Sequence, residues 1–394
     1  MYIDEYKLTF KQQLDRNRYR ENNRAQLFKY GSYVDLFLNS LKKSYRHFGN
    51  VELLFVGSKL YDLVECTNKK VKCLVLSKGS RSLKESLRGG FASYYINKLV
   101  NDVTRTYRSE EPDINVLKEY SAIMKKTCDL FYKIRPRAVV FFSNTGAFDR
   151  HLSIACKKVN IQTHRIQHGW FYGVEDLNQV SDTFWVWGRY FYDKIKNNYV
   201  KLSDITHVFG YPHLMNRRIP NNIPSVGEIK YACFIGQPVV PNDVYKYTFD
   251  EKLEKIELIA QILSKYKISL VYRPHGTERR YYNNHLKQIA KISNIQITNR
   301  REKLKDAFNK YDLFFSVYST ALVEAAMFGK YTIQVLIGKI KPMIVDGIPY
   351  VTDVERELQY MLNSSSLRAG LDDYYIENNT TLDQRVDKFL ENIL

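Results

Sequence analysis

Residues 268–276 of this chain read ISLVYRPHG, an apolar run that ends at a proline and continues into a histidine and a glycine. The apolar part has the length of a buried β-strand, and the proline predicts its end because proline fixes φ and lacks an N–H donor. Residues 312–324 read DLFFSVYSTALVE, another apolar run that leads through hydroxyl side chains into a helical pattern. Open parallel sheets bind ligands beyond the carboxyl ends of their strands, so both stretches predict binding loops.

Short apolar runs alternate with longer amphipathic stretches throughout the chain, which is the pattern of βαβ units. The predicted strands are residues 51–56, 72–76, 138–142, 163–167, 183–187, 207–209, 231–235, 268–272, 295–298, 312–317 and 331–336. Helices are predicted between them, for example over 114–132 and 148–159. The predicted fold class is therefore α/β, with two doubly wound Rossmann-like domains facing across a cleft.

The length of 394 residues exceeds that of one ordinary core, so two domains are expected. Residues 216–228 contain two prolines, show no periodicity and are predicted to be the linker. This places the N-terminal domain at 1–215 and the C-terminal domain at 229–394. Residues 1–45 are predicted to be largely helical.

The net charge of +18 fits three kinds of partner: nucleic acid, an anionic membrane surface, or an anionic substrate. Basic clusters lie at residues 16–24, 78–88, 217–218, 279–280 and 300–301. The sequence has no nucleic-acid-binding signature, so no nucleic acid partner is predicted. A membrane surface together with an anionic substrate is favoured, and a solvated basic face without a specific partner is the alternative.

No apolar run approaches the ~18 residues that a membrane-spanning helix needs, and the first residues, MYIDEY, lack the apolar core of a signal peptide. The five cysteines are odd in number and far apart, with no CxxC spacing. This usage indicates reduced thiols in a cytosol and argues against a zinc site or a disulfide framework.

Four polar side chains after the predicted second-domain strands suit a phosphorylated ligand. Arg273 and His275 follow one strand, where a fixed cation and a hydrogen-bond donor would hold a phosphate. Ser319 or Thr320 is predicted to be the N-cap of a helix, the position at which free N–H groups bind anions. Glu324 lies one turn further on the same face, placed to accept hydrogen bonds from ribose hydroxyls. The alternatives are plain helix capping, a solvated glutamate and a loop histidine that is satisfied locally.

A second histidine motif lies in the first half, where residues 163–170 read THRIQHGW at the end of another predicted strand. Residues 181–188 then read SDTFWVWG, and residues 208–212 read VFGYP. His168 is at the strand end, where a histidine with a pKa near its usual value could act as a base. The alternative is that His168 only orients a loop or binds the ligand.

These motifs together resemble those of GT-B-fold glycosyltransferases that build bacterial surface polysaccharides. Bacterial sialyltransferases, Kdo transferases and CDP-glycerol glycerophosphotransferases share variants of a strand ending in Arg-x-His-Pro, followed by a Ser-Ser/Thr segment that opens a helix. The resemblance covers residues 140–340, and this chain departs from it at Gly276, which replaces the proline. It implies that His275 and Ser319 or Thr320 contact the phosphate of a nucleotide-sugar donor. Gly236, Gly276 and Tyr318, which follow the predicted strands 231–235, 268–272 and 312–317, complete the predicted donor site.

The same resemblance implies that residues 1–215 form the acceptor side, because a Gln-His-Gly motif followed by Trp-Gly and Gly-x-Pro is typical of capsule and teichoic-acid transferases. His168 is the first choice for the base that deprotonates the acceptor hydroxyl. Since sialyltransferases use an Asp or Glu, Asp149 and Asp176, with Glu175, are the other candidates. No metal site and no cofactor are predicted, because the sequence has no DxD motif after a nucleotide-binding strand.

The function predicted from the sequence is a glycosyltransferase at the inner, cytoplasmic face of a bacterial plasma membrane. It would move a sugar from a nucleotide donor, CMP-linked by preference, onto a glycan or lipid-linked glycan of lipopolysaccharide or capsule. The first alternative is a CDP-glycerol or polyol-phosphate transferase of teichoic-acid type. The second is a non-enzymatic, basic membrane- or nucleic-acid-binding protein.

Overall fold

The structure is a computed structural model with two compact units, Met1–Leu214 together with Asp373–Leu394, and Met215–Asp372. It describes residues 51–56, 61–77, 93–106, 114–142, 147–167, 169, 181–198, 200–212, 225–239, 247–299, 302, 304–343, 347–364, 367, 371, 374–376 and 380–394. The predicted helical region 1–45, the basic clusters at 16–24, 78–88, 217–218 and 300–301, and most of the predicted linker lie outside these residues. The described part of the linker is a short 3-10 turn, Val226–Glu228.

The first unit contains a seven-stranded sheet in which every described pairing is parallel, in the order β3-β2-β1-β4-β5-β6-β7. The strands are β1 Leu53–Val56, β2 Cys73–Ser77, β3 Ser93–Tyr95, β4 Ala138–Phe141, β5 Gln162–Ile166, β6 Thr183–Val186 and β7 Thr206–Val208. Its central strands are buried along their whole length, as the nearly continuous apolar runs predict.

The helices of the first unit cover both faces of this sheet. They are α1 Tyr61–Asn68, α2 Asn97–Thr106, α3 Ile114–Ile134, α4 Ala147–Lys158, α5 Arg189–Asn198, α6 Val200–Ser203 and, from the end of the chain, α13 Leu382–Ile393. One apolar cluster joins α2, α3 and α4 to one face, and another joins α1 and α13 to the other. The sheet is thus doubly wound, as predicted.

The second unit contains a six-stranded parallel sheet in the order β10-β9-β8-β11-β12-β13. Its strands are β8 Tyr231–Ile235, β9 Ser269–Arg273, β10 Ile295–Ile297, β11 Leu313–Ser316, β12 Tyr331–Val335 and β13 Tyr350–Val351. Numbered within the unit, this order is 3-2-1-4-5-6, which is the Rossmann order. The prediction of Rossmann-like α/β domains is therefore confirmed.

The helices of the second unit are α7 Phe249–Lys265, α8 Gly276–Tyr281, α9 Asn283–Ile289, α10 Leu304–Lys310, α11 Thr320–Met327 and α12 Val354–Asn363. Helix α7 begins at a capping box in which Thr248 and Glu251 exchange hydrogen bonds, as their spacing predicts. It packs with α12 and the sheet around one apolar cluster that spans the unit.

The predicted C-terminal domain, 229–394, is wrong for its last residues, because 373–394 belong to the first unit. Leu382, Val386 and Phe389 on α13 are buried against that unit's sheet together with Trp185 and Phe209. The physical reason is that the apolar face of α13 and one face of the first sheet bury each other, and both would otherwise be exposed to solvent. The predicted boundary assigned this helix to the second unit because that unit directly precedes it in the chain.

The five cysteines are all unbonded thiols, and all except the half-buried Cys128 are buried. Burial raises the pKa of Cys73 to about 12, so this thiol is kept uncharged. Within the residues that the structure describes, no helix combines the length and apolar character that crossing a bilayer requires.

Candidate functional site

The carboxyl ends of β9, β8 and β11 end level with one another in the second unit. Ile235 pairs with Arg273, and Phe234 pairs with Phe315. The Gly236 N–H donates to the carbonyl of Arg273 at 2.8 Å, and the Ser316 hydroxyl donates to the carbonyl of Ile235 at 2.9 Å. The strand order reverses direction between β8 and β11, which is the switch point where doubly wound sheets bind ligands. The predicted donor-site residues therefore follow three adjacent strands at one edge of the sheet.

His275 is the N-cap of helix α8, and its side chain is part of the cap. Its Nδ1 accepts a hydrogen bond from the Thr277 N–H at 3.2 Å, and its own N–H donates to Glu278 at 2.8 Å. Because Nδ1 accepts, Nε2 carries the proton in the neutral ring and is the donor side of the imidazole. His275 and Gly276 are both exposed.

Arg273 ends β9, but its guanidinium is directed to the segment before α10. Its Nη2 donates to the carbonyl of Glu302 at 3.5 Å, a long contact, and its Nε is buried without a described hydrogen-bond partner. Arg273 also lies within electrostatic range of Cys233 on the neighbouring strand. Its assignment to the donor phosphate stays a prediction.

Helix α11 begins where the sequence predicts it, with Ser319 as the N-cap. The Ser319 hydroxyl accepts from the Ala321 N–H at 3.2 Å and is buried, so this residue performs the capping that was the plainer alternative. Thr320 and Glu324, half-buried, lie one turn apart on the same helix. The ring of Tyr318 meets that of Tyr247 edge to face, with their centroids 6.3 Å apart. Phosphate and ribose binding by these residues stay predictions.

A buried ionic network that sequence reasoning missed lies directly beneath these loops. Lys252 and Glu278 form an ion pair of 2.7 Å with side chains 0% and 2% exposed. Tyr272 donates to the same Glu278 oxygen at 2.8 Å. Lys252 lies on α7 four residues before Ile256, so it interrupts the apolar face of the helix. This position could have indicated the network in the sequence, because a lysine on the apolar face of a helix is buried only when it is paired.

This network leaves no room for a side chain at position 236, which is why a glycine is needed there. A Cβ at this position would lie 2.3 Å from Glu278 Oε2 and 2.5 Å from Tyr272 Oη. A Cβ on Gly276, by contrast, would meet nothing within 4 Å. The two glycines of the predicted donor site therefore differ. Packing excludes a side chain at Gly236, whereas the space beside Gly276 is open.

In the first unit, Gln167 ties the end of β5 to the end of β6. Its side-chain oxygen accepts from the Trp187 N–H at 2.9 Å, and its backbone carbonyl accepts from the indole N–H of the same residue at 2.9 Å. Its amide nitrogen donates to the carbonyl of Gly169 at 3.0 Å. Gln167 therefore holds Gly169 beside the ends of both strands. His168 itself, with Glu175 and Asp176, lies outside the described residues.

Three polar residues of the first unit that could serve as acids or bases are buried. Asp149, a candidate base, is 8% exposed in the first turn of α4. His151 lies on the same helix and contacts Thr127 at 2.8 Å, and burial lowers its pKa to about 3. Burial lowers the pKa of His164 to about 4, and its Nδ1 contacts the Thr183 hydroxyl at 2.6 Å. Both histidines are neutral structural groups near pH 7.

Over the described ranges, no group of three or more His, Cys, Asp or Glu side chains is arranged to hold a metal ion. The start of α11, at the carboxyl edge of the second sheet, is a feature that attracts an anion.

Neither the comparison with protein-family models nor the comparison with curated proteins gives a match. Solved structures do match. A glycosyltransferase from Rickettsia africae ESF-5 is 15% identical over 88% of this chain and 98% of its own, with a TM-score of 0.53. S. aureus MnaA, solved with UDP, is 11% identical over 87% and 98%, with a TM-score of 0.60. A UDP-GlcNAc 2-epimerase from Neisseria meningitidis, bound to UDP-GlcNAc, is 12% identical over 87% and 99%, with a TM-score of 0.55.

At these identities the similarity shows the fold alone. It is a fold with two Rossmann-like domains of GT-B type, and each match extends over both units. The neighbours are described as a glycosyltransferase, a complex with UDP and an epimerase bound to UDP-GlcNAc; none is described as a sialyltransferase, a Kdo transferase or a CDP-glycerol transferase.

Proposed function

We propose that the protein is a metal-independent glycosyltransferase whose second unit binds a nucleotide-sugar donor. The observation that carries the proposal is the convergence of three loops at the switch point of the second sheet, after β8, β9 and β11. These loops bring Gly236, His275 and the start of α11 to one edge. Rossmann-like folds bind nucleotides at this place, which supports a nucleotide ligand over a non-enzymatic role.

Each of the donor-site residues has a distinct task in this proposal. The N–H and the hydroxyl of Thr320, at the start of α11, bind the donor phosphate at the positive end of the helix dipole. The Nε2–H of His275 donates a second hydrogen bond to that phosphate. Glu324, one turn along α11, accepts hydrogen bonds from the ribose hydroxyls. Gly276 leaves room for close approach, since nothing lies within 4 Å of its missing Cβ.

The transfer reaction requires one base and one stabilised leaving group. As the bond between the anomeric carbon and the donor phosphate oxygen breaks, the acceptor hydroxyl oxygen bonds to that carbon and its proton passes to the base. We assign the base to His168, with Asp149 and Asp176 as alternatives. The helix N-terminus and His275 stabilise the negative charge that develops on the departing nucleotide.

The donor is proposed to be CMP-linked and the acceptor a lipopolysaccharide or capsule glycan. The support for both is the resemblance of residues 268–338 to bacterial transferases that use CMP-linked and CDP-linked donors. The net charge of +18 supports docking at the anionic inner surface of a plasma membrane. If the donor is instead a CDP-linked polyol phosphate, attack occurs at phosphorus, and the product then retains a phosphate from the donor.

A second candidate is a UDP-sugar epimerase, which the solved structures favour because several of them are UDP-GlcNAc 2-epimerases. An epimerase converts its sugar nucleotide without an acceptor. Incubating the protein with UDP-GlcNAc alone and separating the C2 epimers therefore discriminates between the two candidates.

The first test is calorimetric titration with CMP, CDP, UDP, GDP and ADP. We expect selective binding of CMP, and about tenfold weaker binding by Glu324→Gln, since a neutral amide with one acceptor oxygen replaces a carboxylate with two. The matched control is Glu254→Gln, an exposed glutamate on α7 of the same unit. His275→Asn keeps an N-cap side chain but removes the Nε2–H, so it should weaken binding without unfolding α8.

Selective binding of UDP would preserve the nucleotide site and replace the proposed donor. If no nucleotide binds, or if Glu254→Gln weakens binding as much as Glu324→Gln, the proposed function is wrong.

A further inference from the structure

Lys252 joins three separate parts of the second unit through its ammonium group. Its Nζ donates to Glu278 Oε1 at 2.7 Å, to Tyr272 Oη at 2.8 Å and to the carbonyl of Gln237 at 2.6 Å. An ammonium group has three N–H donors, so all of them are used. The three acceptors belong to α8, to β9 and to the loop after β8.

Glu278 extends the network to the loop after β9, at the carboxyl edge of the second sheet. Its Oε1 receives Lys252 and Tyr272, and its Oε2 accepts from the backbone N–H of His275 at 2.8 Å. The side chain is 2% exposed, so this carboxylate is held inside the unit. A chain of hydrogen bonds therefore runs from the Gln237 carbonyl, through Lys252 and Glu278, to the backbone of His275.

Burying these charged groups costs desolvation free energy, which their ion pair and hydrogen bonds offset. Burial lowers the pKa of Lys252, while Glu278 raises it, and burial raises the pKa of Tyr272. A buried ion pair contributes little stability beyond what apolar side chains of similar size would give. Gly236 shows how tightly the loop fits over the pair, because a Cβ there would overlap Glu278 and Tyr272.

We infer that Lys252, Tyr272 and Glu278 are positioning residues that fix the loops after β8 and β9 relative to each other for ligand binding. The inference rests on the proposed nucleotide site. None of the three side chains needs to touch the ligand, since the loops above them make the contacts. Their effect on binding passes through the placement of Gly236 and of the His275 backbone.

The test is the double variant Lys252→Met with Glu278→Gln, which removes both buried charges while keeping similar volumes. The variant should fold, because neither charge is left uncompensated, and its thermal midpoint should stay near that of the wild type. We expect its affinity for the best-binding nucleotide to fall about tenfold. Without nucleotide, hydrogen exchange at the amides of Gly236 and His275 should become faster. Tyr272→Phe, which removes one hydroxyl, should have a smaller effect in the same direction.

The matched control is Lys330→Met with Asp312→Asn, which removes another ion pair of the same unit, with Nζ and Oδ1 2.9 Å apart. These two residues directly precede β12 and β11, at the opposite edge of the sheet. The control should leave nucleotide affinity and the exchange of both amides unchanged. Unchanged affinity in the Lys252/Glu278 variant, or an equal loss in the control, would overturn the inference.

If the wild type binds no nucleotide, the proposed function fails, and the exchange measurement judges the positioning role alone. Faster exchange at Gly236 and His275 then supports a network that holds the two loops, and unchanged exchange overturns it.

Discussion

Gly236 and Gly276 are two glycines in neighbouring loops of one candidate site, and the sequence gives no reason to treat them differently. The structure separates them by what surrounds each Cα. Glu278 and Tyr272 occupy the space that a side chain on Gly236 would need, whereas the space beside Gly276 is empty to 4 Å. Whether each glycine position has room for a side chain therefore depends on neighbours that are distant in sequence.

Gly236→Ala should destabilise the second unit by about 1–3 kcal/mol, because its Cβ overpacks the buried ion pair. Gly276→Ala should leave stability equal or slightly higher, since alanine is favoured over glycine by about 0.5–1 kcal/mol in a helix. Urea denaturation followed by circular dichroism measures both. Equal loss of stability in the two variants would contradict the packing argument. Weaker nucleotide binding by Gly276→Ala at unchanged stability would support a ligand close to that loop.

The residues of the candidate site could be predicted only in part from the sequence. Local patterns predict an N-cap at Ser319 or Thr320 and a strand end at Tyr272; the structure has the N-cap at Ser319 and the strand end one residue later, at Arg273. The direction of the Arg273 side chain does not follow, because it depends on Glu302, which lies beyond a separate strand and loop. Lys252 was missed because its burial is set by Tyr272 and Glu278, and single-residue polarity predicts an exposed lysine.

Among the elements, the inner strands of both sheets were predictable, and the four edge strands were predictable only in part. All eleven predicted strands are present. Of the strands in the described residues, β3 Ser93–Tyr95 and β13 Tyr350–Val351 were missed; they are edge strands of three and two residues. Strands this short show little pattern of their own: β7 and β10, edge strands of three residues, were predicted, whereas β3 and β13 are defined only by pairing with a neighbour.

Helix α13 is the element for which chain order was misleading. Phe389 is fully buried, and its ring meets Trp185 at 4.9 Å and Phe209 at 5.6 Å between centroids. The helix thus completes the core on one face of the first sheet. Its apolar face is visible in the sequence, but the sheet that covers that face is not.

Phe389→Ala should therefore destabilise the first unit, although it lies at the end of the chain beyond the second. Removing a buried phenylalanine costs about 3–5 kcal/mol. All three tryptophans, at 170, 185 and 187, belong to the first unit, so their fluorescence reports its unfolding in urea. The control is Tyr132→Ala on α3, a side chain 60% exposed in the same unit. A shift in the urea midpoint no larger than that of the control would mean that α13 does not belong to this core.

At the scale of the whole molecule, the described parts of the two units differ in how many buried histidines they contain. In the first unit, burial lowers the pKa of His151 to about 3 and that of His164 to about 4, and burial and Lys388 lower the pKa of His207. In the second unit, the described histidines are the exposed His275 and the half-buried His285. Acid should therefore affect the first unit more.

The sign follows from the direction of the shifts. An unfolded histidine binds a proton below its usual pKa near 6.5, while folded His164 stays neutral down to about 4. The stability that these groups contribute is complete above pH 6.5 and is lost as the pH falls through this window. Each histidine costs about 1.4 kcal/mol per pH unit there, so His151 and His164 together should remove about 3–4 kcal/mol between pH 7 and pH 5.

Urea denaturation of the first unit, followed by tryptophan fluorescence at pH 7 and pH 5, measures this loss. The variant His151→Gln with His164→Asn keeps polar groups that can contact Thr127 and Thr183 but removes both titrating rings. It should be less stable than the wild type at pH 7 and should lose much less stability on acidification. If the variant and the wild type lose stability equally between the two pH values, other groups cause the acid sensitivity. A first unit whose stability is flat from pH 7 to pH 5 would show that neither histidine is buried as the structure describes.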